Sequence, residues 1–202
     1  MRRWETVYFS GNSKGEKNMR KNWTALALTG MLCLTTFAGI QTVSAETADS
    51  AKQVDIVFTH DTHSHLNTFT TIVDEAEKEV GGFARINTLI QEQKAKNPDT
   101  LVIDGGDFSM GTLIQTVFET QAAEIRMLGY MGCDVTTLGN HEFDYRSKGL
   151  ANMLNSAAES GDNLPALVVC NVDWDSMEQT GLSDGQQQIQ SAFETYGVKD
   201  YV

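Results

Sequence analysis

The stretch DVTTLGNHEFDY, Asp134 to Tyr145, joins a short β-branched run to a dense polar cluster. Asn140, His141, Glu142 and Asp144 fall within five residues, directly after an apolar run and Gly139. Ordering an amide, an imidazole and two carboxylates this close together is costly unless something charged holds them. A strand that ends in such a cluster is the sequence form of a ligand-bearing strand end.

Other segments repeat the form. VDIVFT (Val54–Thr59) reads as a strand and is followed by HDTHSH, which offers Asp61 and His63 as a D-x-H pair. TLVID (Thr100–Asp104) reads as a strand and is followed by GGDFS, where two glycines turn the backbone tightly before Asp107. ALVVC (Ala166–Cys170) is a fourth strand.

Helical spacing separates them. Phe83, Ile86, Leu89 and Ile90 mark a helix that Asn97-Pro98 ends. Residues 119–131 carry Ala122, Ile125 and Leu128 on one face, and Leu150, Met153, Leu154 and Ala157 mark a further helix. Strand and helix in alternation imply βαβ units and a mostly parallel sheet, an α/β fold. In such sheets ligands bind beyond the carboxyl ends of the strands, so the three polar clusters share one rim. The Gln-, Ser- and Gly-rich tail from Asp173 shows too weak a pattern to assign an element.

Each cluster alone has a plainer explanation. A D-x-H pair can be a solvated loop, an Asp after Gly-Gly a turn residue or cap, and an Asn-His pair a partner for backbone groups. Their combination in the order D-x-H, G-D, G-N-H-E, each after its own strand, is far more specific.

Composition narrows the function. The 202 residues are 41% hydrophobic and carry a formal charge of −12, with no basic stripe suited to a nucleic-acid backbone. From Met19 a short basic start (Arg20, Lys21) leads into an apolar run to Ile40 and a small-residue site ending at Ala45. That order is a secretory signal peptide over 19–45, and the run is short for a membrane anchor. SKGEKN before Met19 back-translates to purine-rich codons like those of a bacterial ribosome-binding site, so residues 1–18 read as a misassigned start. The exported part, from residue 46, holds nine basic and 25 acidic residues. Its two cysteines, Cys133 and Cys170, are expected to be buried free thiols.

GGDFSMGT, TLGNHEFDY and the later CNV resemble the calcineurin-type metallophosphoesterases, and within them the branch of secreted 5′-nucleotidases, UDP-sugar hydrolases and 2′,3′-cyclic phosphodiesterases. The resemblance implies the first half of a four-layer α/β/β/α metallophosphatase domain over 46–202. It implies two divalent cations (Zn, Mn, Fe or Co), with Asp61 and His63 on the first, Asp107 bridging, and Asn140 on the second. His141 would act on the substrate phosphate with Asp144 behind it, and Glu142 would be a helix-start carboxylate or a supporting group. Asn171 and His65 would support the site, although His65 is as readily a loop histidine. His60 stands where this branch commonly has Asn, and Cys170 where it has Ala.

The substrate class implied is a nucleotide or sugar nucleotide, hydrolysed outside the cytoplasm of a bacterium. The family also uses later histidines, including a G-H-x-H pair, whereas this sequence has histidines only at 60, 63, 65 and 141. The expectation is therefore a truncated domain, inactive alone, with an open sheet edge and an uncovered apolar face. An exported remnant that binds metal without turnover is the alternative.

Overall fold

The computed structural model describes residues 54–202. The proposed start at Met19, the signal peptide and the leader up to Gln53 lie outside the described residues.

Four short parallel strands form the main sheet in the order β1 (Ile56–Thr59), β4 (Leu101–Asp104), β5 (Val135–Thr136), β6 (Ala166–Leu167). The longer helices of the crossovers are α1 (Phe83–Lys96), α3 (Ala123–Tyr130) and α4 (Arg146–Glu159). The α1 span matches the sequence expectation, with Asn97 as its C-cap. Strand alternation sends Val102 and Leu167 to one face, where they join Ile90, Ile125, Leu128, Leu150, Met153 and Leu154 in a single buried core. Leu89 departs from the expected face of α1 and is exposed, because three of the four apolar positions suffice to seat the helix.

Further elements depart from the sequence pattern. A hairpin of β2 (Phe69–Val73) and β3 (Ala76–Val80) turns at Asp74 and Glu75, both at positive φ, as a two-residue type I′ turn requires. The helix expected over 119–131 is broken into α2 (Phe118–Gln121) and α3 by Ala122, which is left-handed at φ 47° and buried. The tail holds α5 (Trp174–Thr180) and α6 (Asp184–Tyr196), the latter started by a Ser183–Gln186 capping box. Among the described residues no helix is long and apolar enough to cross a membrane.

The strand ends are laced together by Asp104. Its buried carboxylate accepts from Thr59 Oγ1 on β1 (2.7 Å), Thr136 Oγ1 on β5 (2.9 Å) and the Gly106 N–H (3.0 Å). Burial nevertheless pushes its pKa above the ordinary carboxylate value. This lacing fixes the rim from which the polar loops depart.

The opposite sheet face is open. Ile56 and Phe58 on β1 are 56% and 59% exposed, and Ile103, Val135, Leu138 and Trp174 line a trough beside them. Among the described residues Cys133 and Cys170 are both free, but Cys170 is exposed on the loop after β6, correcting the expected burial. Cys133 is buried, with its pKa pushed up to about 12. An apolar face of this kind drives self-association. Ile56→Thr with Phe58→Thr is expected to raise the soluble monomer fraction in size-exclusion chromatography while changing stability by less than about 1 kcal/mol.

Candidate metal centre

The first two rim loops run side by side. The Asp61 N–H donates to Gly106 O (3.0 Å), the His63 N–H to Asp107 O (3.1 Å), and the Ser64 N–H to Phe108 O (2.8 Å). This zipper holds four non-glycine residues in the left-handed region: Asp61, His63, Ser64 and Asp107, at φ between 45° and 55°. Each costs on the order of 1 kcal/mol, which persists only where surrounding bonds over-determine it. Buried Ser64 adds another tie by donating from Oγ to Glu124 Oε1 on α3 (2.7 Å). Glu124 is itself fully buried, and desolvation raises its pKa.

The third loop interlocks with the second. A Cβ on Gly139 would meet Asp107 Oδ1 at 2.0 Å, and one on Gly106 would meet the Gly139 nitrogen at 2.6 Å. Only glycines permit this approach. Carboxylates then bond across it: the His141 N–H donates to Asp107 Oδ1 (2.9 Å), and Glu142 receives donors from both loops. Glu142 is the middle residue of a short 3₁₀ turn, His141–Phe143, and is completely buried.

These ties bring His63, Asp107 and His141 together, with ligand-type atoms within 4.8 Å of one another. The His63 and His141 rings meet edge to face at 5.0 Å. His63 Nδ1 lies 3.2 Å from Ser109 O. A proton shared there sits on Nδ1 and leaves Nε2 with a lone pair for a cation. The Asn140 side-chain oxygen faces Asp107 Oδ2 at 3.1 Å, acceptor against acceptor. Turned over, the amide donates to Asp107 Oδ2 and its oxygen accepts from the His141 N–H at 3.3 Å, so Asn140 is held against Asp107 at the same junction. An imidazole, a carboxylate and an amide oxygen suit a divalent transition ion. His63 and Asp107, with Asn140 beside them, therefore fit part of the metal site that the resemblance implies.

His141 is oriented from behind. Its Nδ1 lies 2.8 Å from Asp144 Oδ2. That bond is the main cause of a raised imidazole pKa, opposed by partial burial and helped by the charges of Asp144, Asp107 and Glu142.

The remaining expected residues stand apart from this group. Asp61 has its backbone in the zipper, but its carboxylate pairs with His60 Nδ1 at 3.2 Å. His65 turns away, with Nδ1 3.2 Å from Thr62 O and its ring against Phe69. Asn171 lines the open trough.

Comparison with known proteins agrees with the geometry. The family description "Calcineurin-like phosphoesterase" matches residues 54–196. The chain is 34% identical over 137 residues to a 5′-nucleotidase of Rattus norvegicus, covering 65% of this chain and 21% of that one. It is 31% identical over 114 residues to an NAD 5′-nucleotidase of Haemophilus influenzae, covering 54% and 19%. A 5′-nucleotidase precursor from Thermus thermophilus superposes with a TM-score of 0.51 at 28% identity, over 62% of this chain and 24% of that one. The chain thus spans about a fifth of the length of the curated relatives it matches.

The His141–Asp144 bond favours the imidazolium, so its stabilising effect is present at low pH and fades as pH rises through the folded midpoint. In the metal-free chain, Asp144→Asn is expected to move the His141 midpoint to lower pH in an NMR titration. An unchanged midpoint would show that Asp144 does not set it.

Proposed function

The chain belongs to the calcineurin-like phosphoesterase family, and on that premise we propose that it supplies part of an exported, metal-dependent phosphoester hydrolase of the 5′-nucleotidase type. The observation that carries this reading is the convergence of His63, Asp107 and His141 from three separate segments. The names of its relatives, nucleotidases and an NAD nucleotidase, support a nucleotide or sugar-nucleotide substrate. The signal-like segment before residue 46 supports export.

His63, Asp107 and Asn140 would hold divalent cations, with Asp61 joining them by turning from His60. Two ions, drawn from Zn, Mn, Fe or Co, fit the family pattern. Bound there, such ions polarise a phosphoryl group and activate water. His141, with Nδ1 committed to Asp144, presents Nε2 to the leaving-group oxygen and gives it a proton. Asp144 keeps the ring in that orientation and favours its charged form. Zipping of the three loops fixes the distance between proton donor and metal ligands before substrate arrives.

The 202 residues hold no histidine after His141, which limits the donors available to a second ion. Metal binding with little turnover is therefore proposed for this chain alone, and hydrolysis for a longer chain carrying the family's G-H-x-H segment. Phosphate release from AMP with added Mn or Zn tests this. The 202-residue chain should stay at the protein-free background, and the longer chain should release phosphate and lose that ability on His141→Ala. Turnover by the 202-residue chain, abolished by the same substitution, would overturn the division of labour.

A further inference from the structure

We infer that Glu142 is a positioning residue whose buried carboxylate is the internal anion locking the Asp107 loop to the Asn140–His141 turn. The inference rests on the metal-site reading above and concerns how that site is held in shape. Glu142 Oε1 accepts from Ser109 N (3.0 Å) and Ser109 Oγ (2.7 Å), while Oε2 accepts from Asp107 N (3.0 Å) and Gly139 N (2.6 Å). Three of the four donors are main-chain N–H groups, which cannot move without moving their loops. One belongs to the bridging carboxylate's own residue, one lies two positions after it, and one immediately precedes Asn140.

The arrangement is reciprocal. The carboxylate of Asp107 takes the amide of His141, and the carboxylate of Glu142 takes the amide of Asp107. Each loop thus binds the other's backbone through an acidic side chain. Because Asp107 Oδ1 is engaged by the His141 N–H, Oδ2 is the oxygen left facing Asn140. Glu142 therefore holds the main chain from which the Asp107 carboxylate projects, without itself touching a cation.

The clamp needs a side chain that only accepts. Glutamine has the same shape, but its NH₂ would face main-chain N–H donors on one side. Glu142→Gln should therefore release one loop and leave the core, whose α4 residues lie elsewhere, in place.

The test uses the full chain, with amide hydrogen exchange followed by NMR and Co²⁺ titrated as the metal probe. In Glu142→Gln, exchange at Asp107, Ser109 or Gly139 should accelerate while Leu150 to Leu154 in α4 stay protected. Co²⁺ affinity should fall about 10–100-fold. Unchanged exchange at the three amides, or equal acceleration throughout the domain, would overturn the inference. Should the wild-type chain bind no Co²⁺, the metal reading fails, and the exchange pattern still decides the clamp. If Glu142→Gln does not fold, Glu142→Asp replaces it. Its shorter carboxylate reaches one loop, so protection should be lost at Asp107 or at Gly139, and full protection at both would contradict the clamp.

Discussion

A carboxylate with no exposure to water, bonded to the backbone of two loops, is the constraint on which the site depends. Hydrogen bonds to a charged group are worth about 1.5–3 kcal/mol each, so the bonds reaching Glu142 outweigh the left-handed strain at Asp107. The strain has a purpose in this arrangement. A loop in which Asp107 lay in an ordinary conformation would not put its carboxylate beside His63 and His141. The local cost is offset by the hydrogen bonds that tie the three loops together in this geometry.

The sheet prepares that geometry one layer below. Asp104 ties β1, β4 and β5 at their carboxyl ends, so the loops leave from a rim whose spacing is already set. The zipper between residues 61–64 and 106–108 and the Glu142 bonds then add order outward from the rim. His141 is the last piece, held through its backbone by Asp107 and through its ring by Asp144. With Nδ1 held by Asp144, the imidazole keeps one orientation beside His63 and Asp107.

Much of this was legible in the sequence because strand ends declare themselves. Each apolar run that stops at a polar cluster became a strand with its loop on the common rim, and α1 and α4 followed from their apolar spacing. The hairpin was not legible: both its faces are largely exposed, so no core imposed an alternation on Phe69 to Val80. Helix α6 was readable in principle, since Ser183 and Gln186 form a capping box and Ile189, Ala192, Phe193 and Tyr196 share helical spacing. Its glutamines hid that stripe. For Glu142 only a helix-start or supporting role was legible, because three of its four donors come from a loop 33 and 35 residues earlier in the chain. The placement of Asp61 likewise depends on a neighbour, His60, that competes for its carboxylate.

The central claim is that three chain segments form one cation-binding centre. The direct measurement is anomalous diffraction from crystals of the full chain soaked with Mn²⁺ or Zn²⁺. The account predicts a peak within about 2.3 Å of Asp107 and the His63 Nε2 atom, with the Asn140 oxygen turned toward an ion. Peaks confined to exposed surface carboxylates, with His63, Asp107 and Asn140 empty at saturating metal, would contradict it.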